Sequence, residues 1–215
     1  MNAKKILISG IFLIMISACE SAYYDAMEKV GVHKREIMID RIEEAQNAQE
    51  EGQEQFKDAL EQFQAVLNFN GGDLEEVYNT LNAEYEDSVS AAENISERID
   101  SVESVSDALF TEWEGELQEY ASASLKRDSE RKLQETRRQY QRLMKAMRRA
   151  ERTIDPVLSS LKDNVLYLKH NLNARAIASL KGELGSVNDD VERLISAMQS
   201  AINESNTFVS QLRDG

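Results

Sequence analysis

The chain has 215 residues, with 25 Lys plus Arg against 39 Asp plus Glu and a net charge of −14, a balance that argues against binding nucleic acid over its whole surface. Nine glycines and one proline are too few breakers for the turns that a sheet protein of this length needs. With 41% hydrophobic, 30% charged and only 7% aromatic residues, the composition fits an all-α chain of long helices with narrow apolar seams.

The N-terminus opens on Lys4 and Lys5, continues through an apolar run at residues 6–16 interrupted only by Ser9 and Gly10, and ends in Ser17, Ala18 and Cys19. That run is shorter than the roughly 20 apolar residues that span a bilayer. A cationic start, a short apolar stretch and small residues before a cut describe a secretory signal peptide. Ile16-Ser17-Ala18-Cys19 also resembles the lipobox of bacterial lipoproteins. The resemblance implies cleavage of residues 1–18, diacylglycerol on Cys19 as the new N-terminus, and one elongated helical domain over residues 19–215. Several acyl chains at about 0.8 kcal/mol per buried CH2 suffice for stable anchoring. Glu20, and not Asp, follows the anchor; by the sorting rule of enteric lipoproteins this implies the periplasmic side of the outer membrane over the inner membrane. Tyr23 and Tyr24, just beyond, have the amphipathic rings of a head-group layer.

Beyond the leader the chain is organised by steps of four and three. The first seam runs Met38, Ile42, Ala45, Gln49, Gly52, Phe56, Ala59, Phe63 and Val66, broken only by Gln49 and Gly52, which is the a/d spacing of a coiled coil. Asn70-Gly71-Gly72 is the clearest turn, and Asp73 with Glu76 predicts a capping box for the next helix. A second seam holds phase from Leu74 through Leu81, Ile95, Ile99 and Val102 to Trp113 and Tyr120. Ala121-Ser122-Ala123-Ser124 predicts a turn, because serines compete for backbone hydrogen bonds. The third seam, Leu133 through Leu143, Met147, Ile154 and Leu161 to Leu168, crosses Asp155-Pro156 in phase, so the proline marks a kink or a capped restart. The last runs from Ile177 to Leu212, weakened at its start by Gly182 and Gly185.

The expected architecture is a long antiparallel coiled-coil bundle of four helices at residues 21–69, 73–120, 125–172 and 174–212, the first three each about 70 Å long. If the break near residue 123 fails, helices two and three fuse and the bundle has three. Core packing accounts for Tyr78, Tyr85, Trp113, Tyr120 and Tyr140 on the seams.

Chemistry is scarce. Two histidines, His33 and His170, and one cysteine cannot assemble a Cys/His pair or a zinc set. Val30 and Tyr167 stand where a di-iron bundle needs glutamates three residues before its histidines. No phosphate loop, nucleophile elbow or metalloprotease motif occurs. Neither metal, cofactor nor catalysis is expected, and the glutamate clusters read as solvated faces.

One block departs from the acidic background. Residues 126–152 carry eleven cations against four anions, a local +7 in a mature chain that is otherwise −23. With Leu133 at position a, Arg131, Arg138, Lys145 and Arg152 fall at f, and Arg142 and Arg149 at c, all pointing away from the seam. The stripe either grips anionic head groups or lipopolysaccharide phosphates, with a lipid anchor holding it close, or pairs with acidic faces of neighbouring helices. The compartment and the lack of interleaved aromatics disfavour nucleic acid.

Glu112-Trp113-Glu114, Ser129-Glu130-Arg131-Lys132-Leu133, Met147-Arg148-Arg149-Ala150-Glu151 and the run from Leu168-Lys169-His170-Asn171 through Leu172-Asn173-Ala174-Arg175 to Leu180 resemble an uncharacterised family of gammaproteobacterial helical proteins known only as a domain of unknown function. The likeness implies the helical class and supplies no activity, cofactor or catalytic residue. Within it, His170, Asn171, Asn173 and Arg175 gather at a helix junction, either as a polar ligand pocket or as caps of backbone ends. The expected function is a lipid-anchored structural or interaction protein of the envelope, with a membrane contact through its anchor, a protein partner and scope for homo-oligomers. The alternative is an envelope-binding module that uses the basic helix face.

Overall fold

The structure is a computed structural model that describes residues 23–24, 26–29, 31–68, 71, 73–171 and 173–214. The leader and Cys19 lie outside the described residues. Among the described residues, after the helical positions 23–24 and 26–29, six helices follow one another: α1 Lys34–Leu67, α2 Leu74–Glu116, α3 Ala123–Arg152, α4 Ile154–His170, α5 Ala174–Leu180 and α6 Leu184–Asp214. They form four antiparallel rods, because α3 with α4 and α5 with α6 each continue in one direction. The chain is all-α, as its composition requires, and helices two and three are separate.

Each boundary has a local cause. Ser122 caps α3, its Oγ accepting from the Leu125 N–H at 3.4 Å. Thr153 ends α3 and starts α4, and its Oγ donates to the Ala150 carbonyl at 2.6 Å. Pro156 then sits in the first turn of α4, where its missing N–H has no intrahelical role. Gly71 has φ +129°, a region that only glycine enters freely. Asp73 caps α2 by accepting from the Glu75 N–H at 2.8 Å, in place of the reciprocal box expected with Glu76.

The largest departure is at the start. The first helix was expected from residue 21, but the helical residues 23–24 and 26–29 end at Gly31, whose φ is +89°. There the Gly31 N–H donates to Glu28 O at 2.9 Å and the Val32 N–H to Met27 O at 3.0 Å, the paired bonds of a Schellman cap. The chain reverses, and α1, with 34 residues, is about 51 Å long where about 70 Å was expected. Tyr24 folds into the core at 5% exposure, its hydroxyl 3.1 Å from Ser104 Oγ on α2. It is therefore not a head-group contact, whereas Tyr23 remains 45% exposed.

Burial follows the seams. Every position of the first, from Met38 to Val66, is buried, Gln49 and Gly52 included. One apolar cluster runs from Tyr24 to Leu212 across all four rods. A smaller one, Phe110, Leu117 and Leu133 backed by Trp113 and Tyr140, fills the α2–α3 tip. Tyr120 falls outside both and is 42% exposed, because α2 ends at Glu116 before the seam reaches it. In cross-section α1 packs on α2 and α6, and α3 packs on α2 and α6, so α1 and α3 occupy opposite corners.

Candidate functional site

Three kinds of face run along α3. The inner face buries Leu133, Leu143, Met147 and Ala150. The face toward α2 carries Arg137 and Arg148. Arg137 donates to Glu114 at 2.5 Å and lies over the Phe110 ring, 5.1 Å from its centroid, which adds a cation–π contact. It holds the Glu114 carboxyl below the usual range by hydrogen bonding and charge. Arg148 reaches Asp100 at 2.6 Å and Glu103 at 2.5 Å on α2, and Glu151 of its own helix at 3.1 Å. Burial opposes the Arg148 charge, but the three carboxylates outweigh it and push the guanidinium further up.

The outer face is different. Arg131, Arg138, Arg142, Lys145, Arg149 and Arg152 are all exposed. Arg131 pairs with Asp128. Among the described residues, no ion pair within 4.0 Å engages Arg138, Arg142, Lys145, Arg149 or Arg152. These five follow at steps of four, three, four and three, so the row is about 21 Å long. Pairing with neighbouring acidic faces therefore describes Arg137 and Arg148, and not the outer row. Four successive like-charge steps each destabilise a helix by a few tenths of a kcal/mol, a repulsion that a bound anion would relieve.

The row borders a groove of about 780 Å³ between α3 and α6, lined by Arg142, Lys145 and Arg149 on one wall and Asp189, Glu192, Arg193 and Glu204 on the other. Arg193 pairs with Asp190 of its own helix. The acidic wall of α6 moderates the field of the row from one side, with no ion pair to it among the described residues.

Two of the four junction residues serve the backbone. Asn173 Oδ1 accepts from the N–H groups of Arg175 and Ala176 at 3.0 and 3.1 Å and caps α5. Asn171 Nδ2 donates to the Tyr167 carbonyl at 2.9 Å, closing the end of α4. His170 and Arg175 point to solvent at the same place. His33 occupies the N-cap position of α1 without a side-chain capping bond.

Two features have no counterpart in the sequence expectations. Lys34 is buried between Glu28 at 2.9 Å and Glu112 at 3.2 Å. Lys34 and Glu112 hydrogen-bond Glu28 and hold its carboxyl low, whereas burial and the nearby Glu28 push Glu112 up. Burial opposes the Lys34 charge, and both partners together leave its ammonium raised. Only the reversal at Gly31 brings Glu28 to this place, and that glycine was the one signal available. The second is a groove of about 820 Å³ at the α2–α3 tip, where Trp113, Tyr120 and Leu125 meet the ends of α1 and α6. Trp113 Nε1–H donates to Ser129 Oγ at 2.8 Å, and Leu125 is 60% exposed.

Among the described residues, no group of three or more His, Cys, Asp or Glu is placed to hold a metal ion, and no helix is long and apolar enough to cross a membrane. A family model described as "Protein of unknown function (DUF2959)" matches residues 23–212. No curated protein matches the chain.

Proposed function

Because the chain belongs to the DUF2959 family, described as of unknown function and matched over residues 23–212, its activity has to be read from its own surface, and we propose a lipid-anchored envelope protein that acts by binding and not by catalysis. The anchor is Cys19, the compartment is the periplasmic side of the outer membrane, and the binding face is the row Arg138, Arg142, Lys145, Arg149 and Arg152. Its ligands are the phosphates of anionic lipid or lipopolysaccharide. The observation that carries this reading is that the cations of α3 divide: Arg137 and Arg148 are consumed by α2 carboxylates, and the outer five are not. Four of the five are arginines, whose planar fork matches phosphate oxygens. Cations at an anionic surface contribute about 1 kcal/mol each.

Co-sedimentation of residues 20–215, which contain the whole described bundle, with phosphatidylglycerol vesicles tests the face. Binding is expected at low salt, weakening as the screening length falls from about 10 Å at 0.1 M to about 3 Å at 1 M. It should vanish in Arg138→Glu/Arg142→Glu/Arg149→Glu. Absence of binding at low salt would overturn the assignment. Palmitate labelling and membrane fractionation beside Cys19→Ala test the anchor: label and membrane association should both be lost, and equal behaviour of the two forms would sink it.

A second reading, a protein partner bound through a helix face, draws on the tip groove, where Leu125 and Tyr120 are exposed beside Trp113. Exposed aromatic and aliphatic groups around a cleft suit a partner's apolar side chain. Leu125→Glu should leave vesicle binding intact, which separates the two faces.

A further inference from the structure

We propose that the cation row binds an anionic phospholipid bilayer other than the one that holds the Cys19 anchor, so that the protein joins two surfaces. The inference rests on the anchored, anion-binding reading above and adds where its ligand must lie.

The reversal at Gly31 lays the N-terminal segment back along the outer groove between α1 and α2: Tyr24 bonds Ser104, and Glu28 joins Lys34 on α1, which also bonds Glu112 on α2. The row lies on α3, the corner opposite α1, and leans toward α6, whose side chains form the other wall of its groove. Along the bundle axis the two features coincide. Tyr24 meets α2 at Ser104, and Arg148, within the row's span, meets it at Asp100 and Glu103. The chain therefore leaves toward its anchor from the α1–α2 side at the level where the row faces out on the α3–α6 side.

Reach decides the consequence. Cys19 is four residues from Tyr23, a tether of at most about 14 Å. Crossing two helix layers takes about 20 Å or more. The tether cannot bring its own bilayer round to the row while Tyr24 and Glu28 keep their partners. A row about 21 Å long, of which Arg142, Lys145 and Arg149 line the groove toward α6 while Arg138 and Arg152 extend beyond it at either end, matches an extended array of head-group phosphates better than a compact anion. A chain that is otherwise strongly acidic would in turn be repelled from such a surface elsewhere, which orients it row-first.

The test uses the full-length lipidated protein reconstituted into neutral phosphatidylcholine vesicles and mixed with anionic phosphatidylglycerol vesicles. A fluorophore is attached at Gln141→Cys, an exposed position beside the row, since acylation leaves Cys19 no free thiol. Expected are salt-sensitive clustering of the two populations and quenching by spin-labelled lipid carried in the second population. Both should be lost in Arg138→Glu/Arg142→Glu/Arg149→Glu. Quenching by spin-labelled lipid in the anchoring bilayer, when that bilayer is itself anionic, would overturn the two-surface inference and leave the binding face standing. Absence of clustering while residues 20–215 still sediment with anionic vesicles would overturn it likewise. If residues 20–215 fail to sediment, the binding face itself is wrong and the inference falls with it.

Discussion

Gln49 is the most exposing test of how this bundle is held together. It is 0% exposed, on the core seam of α1, and among the described residues neither its Nε2 nor its Oε1 has a hydrogen-bond partner. One helical turn on, Gly52 faces Ile95 of α2 and Met198 of α6, so the amide sits where three rods converge. Burying an amide without compensation costs about 1–3 kcal/mol on the scale of protein substitutions. Gln49→Met keeps the length of the side chain and removes the polar atoms, so packing changes by less than about 1.5 kcal/mol. The variant should be more stable by about 2 kcal/mol, which for a chain of this size raises Tm by about 4–8 °C. Thermal unfolding followed by circular dichroism measures this directly, with a urea midpoint that rises at unchanged slope as the second readout. A Tm equal to or below that of the parent would refute the reasoning, since it would mean that a partner such as an ordered core water satisfies the amide. A polar seam residue can also fix helix register, so a stabilised variant that loses sharp side-chain NMR dispersion would reveal that role.

At Gly52 an added Cβ would come within 2.6 Å of Ile95 Cδ1. Gly52→Ala should cost about 1–3 kcal/mol of overpacking, offset by about 1 kcal/mol of helix propensity. Ile95→Val removes that methyl at about 0.5–1.5 kcal/mol, and the double variant should beat the sum by about 1 kcal/mol; additivity in a urea cycle would count against the contact. Arg148→Ala strips the ion-pair network with Asp100, Glu103 and Glu151 and should lower stability by about 1–2 kcal/mol at low salt, less at 1 M NaCl. Arg142→Gln, from the unpaired row, should stay within about 0.5 kcal/mol of the parent or exceed it, and a loss as large as that of Arg148→Ala would show that the row is structural. Burial pushes the Tyr140 phenol up to about 12, with the Ser106 hydroxyl acting the other way. Its contribution is complete below about pH 10, where the unfolded phenol is still neutral, and drains away as pH rises from about 10 to about 12. Tyr140→Phe should flatten that part of the Tm-against-pH curve relative to the parent, and parallel curves would contradict the assignment.

Much of the bundle was legible in the amino-acid order because its signals are local and periodic. The seam from Met38 to Val66 is buried without exception, since a side chain repeating every three or four residues meets the same face of a helix whatever that face packs against. Ser122, Pro156 and Asn173 end or begin helices as their hydrogen bonding and ring geometry require. The outward direction of Arg131, Arg138, Arg142, Lys145, Arg149 and Arg152 follows from the same phase. The same periodicity carries no information about where a helix stops, and so the seam reads on to Tyr120, past the end of α2 at Glu116.

What only the tertiary structure decided are the relations between distant segments. Nothing local distinguishes Arg148, clamped by Asp100 and Glu103, from Arg149, which has no such partner; the difference is which neighbour each side of α3 meets. The reversal at Gly31 depends on one glycine whose positive φ is rewarded by Tyr24 against Ser104 and Lys34 between Glu28 and Glu112. The contacts of Tyr24 with Ser104 and of Lys34 with Glu112 span 80 and 78 positions in the chain, and loop entropy allows such separations at little extra cost per residue. Helix phase is set by bonds four residues apart, and so the sequence determined the rods, their seams and their outer charge. Which faces neutralise each other, and on which side of the bundle the N-terminal segment lies, are set by long-range packing that no stretch of residues encodes alone.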